Sequence, residues 1–453
     1  MSADHRQIDG SLKAILRISL PLIVSALSSN LLLLIDRAIL SLYSLTAMNA
    51  ASIAGNFVAI FCFFFCAIAG IAEVYVGQSN GQKLYDRLAV PVWQMIYFSA
   101  IGFVVMSIAA HFAEYLSSFP DYCREDGLAY QRLMMYFSPI CAVKTAIASF
   151  FIGQGKTKII TFTVVVGAIS NVALDWLFVF GYGGIIPAWG CKGAAVASIL
   201  AEVFEVAILA LVFFYKDNRL HFGTIKCLRF DKDIFLGCLK LGCPLAIGRI
   251  FELLAWYLVF IEISRVSSKV SSVYAICVSI YVFFSFVCDG ISKSSATVSS
   301  NLIGQRDLAA IKKSLKIFLK LILCIGSVIT LPLVLFPQSI FFFLDMLPES
   351  VSDLYSDMVV MFQLLALNVV LEAVSCTLWG VFMAGGDTRY PMIANLCSLW
   401  GTVVLPVVVL HLLGTLNSAV IVYQLSTVWC LTTLLLFYHR YRSLKWYNVL
   451  QKL

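Results

Sequence analysis

The chain has 453 residues, 61% of them hydrophobic and 13% charged, with a formal net charge of +7. Soluble domains carry about 25% charged residues, so half that share excludes the row of about three water-soluble domains that length alone would suggest. The surplus positive charge is spread over many short loops, which argues against a nucleic-acid partner and leaves the lipid bilayer as the main surrounding.

After a polar start at Met1 to Gly10, twelve apolar runs follow one another. They lie near residues 15–40, 47–73, 91–116, 131–152, 159–181, 193–215, 234–264, 271–298, 314–336, 357–382, 390–411 and 418–438. Each has the roughly 20 residues that a helix needs to cross hydrocarbon. Lipid offers the backbone no water, so these runs must close their own hydrogen bonds as helices. They are about twice as long as a barrel strand. The first run is also too long for a cleaved signal peptide. The expected fold class is an all-α membrane protein with twelve transmembrane helices.

Basic residues set the orientation. Nineteen lysines and arginines, from Arg6 and Lys13 through Lys83, Lys156, Lys216, Arg229, Arg306 and Arg389 to Lys452, fall in one set of loops and tails. Only Arg124, Arg132, Lys192, Arg265 and Lys269 fall in the other. By the positive-inside rule the first set is cytoplasmic, with both termini inside. The loop 338–356 agrees, carrying Asp345, Glu349 and Asp353 and no basic residue.

The halves resemble each other. Leu16-Arg17-Ile18-Ser19-Leu20-Pro21-Leu22 of the first span matches Leu239-Lys240-Leu241-Gly242-Cys243-Pro244-Leu245 of the seventh. Gly77-Gln78 is matched with Gly304-Gln305, and Gly155-Lys156-Thr157-Lys158 with Gly386-Asp387-Thr388-Arg389. The shared order predicts two pseudo-symmetric six-helix bundles, residues 1–222 and 223–453, with the basic segment 216–233 as linker. Parallel repeats of this kind bind substrate between the halves and alternate access by rocking them.

Ionisable residues inside the spans need a reason, since a charge at mid-bilayer costs roughly 2.5–3.5 kcal/mol. Asp36 closes the run Leu31-Leu32-Leu33-Leu34-Ile35 in the first span. Asn171 and Asp175 lie four apart in the fifth, on one helical face. Two carboxylates and an amide can bind sodium through oxygen or share a proton. The structural alternatives are an ion pair at Asp36 and helix capping by Asp175 near Gly181.

Further along, Glu202 and Glu205 have no basic neighbour at helical spacing. Glu252 has Arg249 one turn away, and Asp289 has Lys293, so both read as local ion pairs. Glu262 lies near the outer end of its span, where it can reach water. Glu73 and Glu372 have no explanation in the sequence. Most of the fourteen cysteines sit in apolar runs as small core or lipid-facing residues. Only Cys123 and Cys191 fall in outer loops, and nothing in the sequence pairs them. Aromatic residues, 13% of the chain, suit a pocket for flat organic cations as well as ordinary packing.

No HExxH, nucleotide-binding loop or catalytic-triad spacing occurs. Gly153-Gln154-Gly155-Lys156-Thr157 lacks the strand and spacer of a phosphate loop. Neither an enzyme nor a cofactor beyond a coupling ion is expected.

Taken together, these residues resemble the multidrug and toxic compound extrusion (MATE) family of the MOP flippase superfamily. The resemblance rests on twelve spans as two six-helix bundles, the aspartate of the first span, and Asn171-Val172-Ala173-Leu174-Asp175. It rests too on Gly193-Ala194-Ala195-Val196-Ala197-Ser198 and on Gly385-Gly386-Asp387-Thr388-Arg389-Tyr390-Pro391. It implies that Asp36, Asn171, Asp175 and Ser198 form a cation-coupling site, with Asp36, Asn171 and Asp175 as metal ligands if the ion is sodium. Ser198 stands where relatives have threonine. Pro21 stands where relatives bend the first helix. Glu252 matches an acidic position of the seventh span in one branch of the family, and Asp387 its acidic partner after the tenth. Arg37 departs from the small or polar residue usual beside the aspartate.

The expected protein is therefore a secondary active antiporter of the inner or plasma membrane. It would act as a monomer and exchange protons or sodium for small organic, cationic compounds. Two alternatives stand beside it. One is a lipid-linked precursor flippase of the same superfamily, with Lys144, Arg249 and Lys293 meeting an anionic headgroup. The other is a membrane receptor or scaffold that transports nothing.

Overall fold

The computed structural model describes residues 8–117, 119–336, 355–447 and 450. Among them, twelve helical segments are long and apolar enough to cross a membrane. They are Leu12–Tyr43, Leu45–Gly81, Tyr85–His111, Asp121–Gly153, Lys158–Phe180, Cys191–Phe213, Lys232–Val266, Val270–Gly304, Leu308–Pro332, Ser356–Ala384, Arg389–Leu412 and Val420–Arg442. Each overlaps one apolar run of the sequence, in order. The acidic stretch 338–356 lies almost wholly outside the described residues.

The spans show how a polar atom survives in hydrocarbon. Ser99, Thr330 and Ser426 each donate a hydroxyl to the carbonyl one turn back, at 2.8, 2.9 and 2.8 Å. That bond needs no neighbouring helix. Large aliphatic side chains such as Leu34, Val104 and Leu435 are exposed, as a lipid-facing surface requires. Small residues do the opposite: Ala47, Ala50, Ala51 and Ala54 are all buried in the second span, where short side chains let helices approach closely.

Proline explains one local irregularity. In the eleventh span a wide π-turn, Trp400–Val404, precedes Pro406, and the Leu405 N–H reaches back five residues to the Trp400 carbonyl. Proline lacks an N–H and its ring crowds the previous turn; the extra residue absorbs both effects.

Backbone hydrogen bonds reveal the internal repeat directly. The second span ends in a left-handed Lys83 (φ 62°) and the eighth in a left-handed Arg306 (φ 59°). Lys83 and Leu84 donate to Asn80 and Ser79 at 3.1 and 2.9 Å; Arg306 and Asp307 donate to Ile303 and Leu302 at 2.9 and 3.0 Å. These are the same helix-ending motif, 223 residues apart, the offset that also relates Pro21 to Pro244. The counterpart of Gly304-Gln305 is thus Gly81-Gln82, not Gly77-Gln78. After the fourth and tenth spans the motif recurs, with Gly155 and Gly386 both at φ 71°. Each is followed by a donation, from Lys156 to Phe151 at 2.9 Å and from Asp387 to Phe382 at 3.0 Å.

The chain divides into two compact units, one containing Leu20–Ala246 and the other Asp9–Ser19 with Ile247–Leu453. The expected boundary at 222/223 falls inside the first. The segment read as a linker is fastened to the third span there. Trp93 Nε1 donates to the Thr224 carbonyl at 2.6 Å, Gln94 Nε2 donates to the Arg229 carbonyl at 3.1 Å, and the Asp231 N–H donates to Gln94 Oε1 at 3.1 Å. The first and seventh spans, which run unbroken through Pro21 and Pro244, are each divided between the units two residues from their proline.

Candidate functional site

In the first unit, the first, fifth and sixth spans bring four sequence-selected polar residues, Asp36, Asn171, Asp175 and Ser198, together near one end. An apolar cluster forms the floor: Ile39, Leu40, Ala47, Ala50, Val179, Cys191 and Ala194, with Ile35 and Val172 packed against it. These neighbours bracket Asp36 on the first span and Asn171 and Asp175 on the fifth. Asn171 and Asp175 are each 1% exposed.

The Asn171 amide joins the group. With its nitrogen turned toward the carboxylates, it donates to Asp36 Oδ1 at 2.7 Å and to Asp175 Oδ2 at 3.2 Å, while its oxygen accepts from the Ser198 N–H at 3.3 Å. The two carboxyl groups are also within hydrogen-bond reach of each other. Asp175 Oδ1 is buried with no hydrogen-bond partner. Among the described residues no basic side chain pairs with either aspartate. Arg37, next to Asp36 in sequence, donates to Asn56 Oδ1 at 3.2 Å instead. Neither structural alternative describes this pair: Asp36 has no cation, and Asp175 bonds side chains rather than a helix end.

Tyr130 of the fourth span packs against the same floor and lies within electrostatic reach of both aspartates. Nothing in its sequence neighbourhood marks it out. Its only signal is a polar aromatic residue in an otherwise ordinary helix.

In the second unit, Glu252 pairs with Arg249 at 3.3 Å. Around that pair gather Asp289 of the eighth span and Glu372 of the tenth. Tyr281 donates its hydroxyl to Glu372 Oε2. Three carboxylates thus surround one arginine. Among the described residues Asp289 makes no ion pair with Lys293, though their spacing allowed one; it lies within electrostatic reach of Arg249. Glu262 likewise does not simply reach water, having Arg265 at 3.0 Å and His411 at 3.6 Å.

Asp387 is held elsewhere. It accepts from Arg440 Nε at 2.7 Å, and the same guanidinium lies over the Tyr390 ring. Glu252, by contrast, stands twenty residues, about 30 Å of helix, into the seventh span. The acidic residue beside Glu252 in this fold is Glu372. Asp387 instead ties the loop after the tenth span to the end of the twelfth. Its side chain is 11% exposed and that of Arg440 21%, so Asp387→Asn strands a shielded cation. We expect a loss of about 1–3 kcal/mol, read as a lower melting temperature, with Arg440→Gln added to the same chain recovering most of it.

All fourteen cysteines are free thiols, and Cys123 and Cys191 are both buried in the packing around the site rather than paired. Asp36, Asp175, Asn171 and Ser198 offer only oxygen and amide groups, the donor chemistry of a proton or a hard monovalent cation.

The chain is similar to known membrane transporters. The MatE family model matches residues 21–177 and 244–409, beginning in each half at the equivalent proline. The probable multidrug resistance protein YoeA of Bacillus subtilis is 22% identical over 346 residues, covering 75% of this chain and 73% of its own. The multidrug resistance protein MdtK of Klebsiella pneumoniae is 23% identical over 260 residues, and the match spans 56% of each protein. Among solved structures, a MOP superfamily transporter from Pyrococcus furiosus superposes with a TM-score of 0.83 at 17% identity, over 97% of each chain. The eukaryotic MATE transporter AtDTX14 superposes with a TM-score of 0.78 at 17% identity, again over 97% of each.

Proposed function

This chain belongs to the MatE family of membrane transporters, and from that premise we propose that it is an antiporter that expels small organic cations in exchange for protons or sodium. The observation that carries the reading is the Asn171 amide set between two carboxylates that no basic residue neutralises. Two such charges, both within 3.2 Å of one nitrogen, repel by roughly 3–4 kcal/mol at an effective dielectric of about 20. One proton, or one monovalent cation, removes that repulsion. A conformation that holds the carboxylates together therefore gains from the ion, and one that separates them does not. A difference of this size changes affinities by about 10²–10³-fold, enough to couple two fluxes.

With nitrogen inward, Asn171 donates to both carboxylates of the pair; with its oxygen inward it offers a ligand to sodium or accepts from a protonated carboxyl. The Pro21 carbonyl accepts from Ser25 at 2.8 Å and from Thr161 at 2.7 Å, so the first span, which carries Asp36, is anchored to the fifth at the residue where a bend is expected. On this reading the chain lies in the inner or plasma membrane with both termini cytoplasmic. In the second unit, Glu252 acts with Glu372 in the place expected of Asp387.

Two of the three basic residues of the flippase reading are already engaged. Lys144 pairs with Glu202 at 2.8 Å, and Arg249 with Glu252.

The test is ethidium movement in vesicles containing the purified protein, under an imposed proton gradient and then under a sodium gradient alone. Gradient-driven accumulation is expected with one of the two ions. Movement indifferent to both gradients would reject antiport.

A further inference from the structure

Two helix faces that build the aspartate site continue beyond it. On the fifth span, Asp175, Asn171 and Gly167 recur every four residues and are all buried. On the sixth, Ser198, Glu202 and Glu205 lie four and three residues apart, also on one face. Eight residues, about 12 Å along the helix, separate Asp175 from Gly167, in the direction of the opposite membrane face.

There the faces meet in a second charged group. Gly167 has no side chain because the Glu205 carboxyl occupies its space: a Cβ at this glycine would stand 2.3 Å from Glu205 Oε1. Lys144 of the fourth span lies 2.8 Å from Glu202 Oε1 and 3.5 Å from Glu205 Oε2. Among the described residues the charged groups near Glu205 are these two, Lys144 and Glu202; the Cys66 thiol of the second span lies within electrostatic reach of Lys144. One ammonium between two carboxylates leaves an odd negative charge. Its place is Glu205, whose side chain is 9% exposed and which lies farther from the ammonium than Glu202 does, at 3.5 against 2.8 Å. Lys144 and Glu202 keep about a quarter of their side-chain surface, at 26% and 28%. Charges left facing hydrocarbon would be costly, so this surface is one that water reaches.

We propose that Glu205 is a second proton-carrying group of the first unit, receiving the proton that leaves the Asp36–Asp175 pair and delivering it toward the opposite face. The inference rests on the reading of that pair as a proton site. When the pair releases its proton into water at the site, the Glu205 carboxylate takes it and becomes a carboxylic acid. The Lys144–Glu202 pair stays charged throughout and supplies a fixed dipole. Glu205 then returns the proton to water on the far side, and nothing is oxidised or reduced.

The variants Glu205→Gln and Glu205→Asp test this in reconstituted vesicles, with ethidium as the transported probe and Asp36→Asn as a comparison. Glutamine keeps the shape and leaves Lys144 and Glu202 as a neutral pair. Expected for E205Q is a loss of proton-gradient-driven accumulation of about 100-fold. Ethidium-for-ethidium counterflow, which moves no net proton, should persist, and E205D should regain part of the driven transport. The proposal is overturned if E205Q accumulates ethidium at the wild-type rate while D36N does not, an outcome that leaves the aspartate reading standing. It is also overturned if E205Q loses counterflow together with driven transport, because Glu205 is then structural. A wild-type protein that answers only to sodium, or to neither gradient, removes both the relay and the proton reading on which it rests.

Discussion

Asp36→Asn and Asp175→Asn should each abolish the resistance that the chain confers on a drug-hypersensitive host, while its abundance in the membrane stays unchanged. Asparagine has nearly the shape of aspartate and keeps an oxygen for hydrogen bonding, so the floor of Ile39, Ala50 and Val179 has no reason to repack. What disappears is the repulsion. A single carboxylate beside two amides is already comfortable, and a proton or sodium ion no longer changes which conformation is preferred. Export then loses its driving force even where the organic compound still binds. Growth on ethidium, scored against membrane protein level, reads the result. Full resistance in both variants would show that the pair is packing rather than engine.

The second large effect is expected at Gly193. It opens the sixth span opposite the end of the fifth, and a Cβ there would stand 2.4 Å from the Phe178 carbonyl oxygen, 2.6 Å from its carbon and 3.0 Å from the Val179 nitrogen. All three atoms are backbone, so none can swing aside. Gly193→Val must push the two spans apart, and the strain spreads to the Asn171–Ser198 contact on the same pair of helices. Overpacking of this kind costs about 1–3 kcal/mol even where side chains can adjust; here more is expected. The measurement is thermal unfolding of purified protein in detergent. Gly401→Ala is the control, since a Cβ at Gly401 meets nothing within 4 Å. Equal melting temperatures for the two variants would mean that the close approach is not structural.

The fold was largely legible in the sequence because hydrocarbon is a strict solvent. Twelve runs had to be helices, and their order could be counted. The repeat was legible too, but its register was not: Gly77-Gln78 and Gly81-Gln82 are the same dipeptide, and only the left-handed Lys83 and its twin Arg306 decide between them. The candidate aspartates were singled out by Asn171 and Asp175 sharing one helix face and by Asp36 closing a leucine run, with Ser198 added by resemblance.

Partners on different helices were another matter. Spacing along one helix suggested Asp289 with Lys293, yet the cation within electrostatic reach of Asp289 is Arg249 of another span. It left Glu202 and Glu205 without a cation, yet Lys144 reaches them from sixty residues away in sequence. Glu372 had no sequence explanation, and its hydrogen-bond partner Tyr281 belongs to another span. Asp387 drew attention as an acid in a distinctive turn, but Arg440, fifty-three residues later, claims it.

The claim that ion and drug compete through the aspartate pair is tested most directly by watching the ion itself. Ethidium added to purified, weakly buffered protein in detergent should release a proton, or sodium in sodium medium, from the wild-type chain. The release should vanish in Asp36→Asn and in Asp175→Asn. Undiminished release from both variants, with ethidium still bound, would contradict the account.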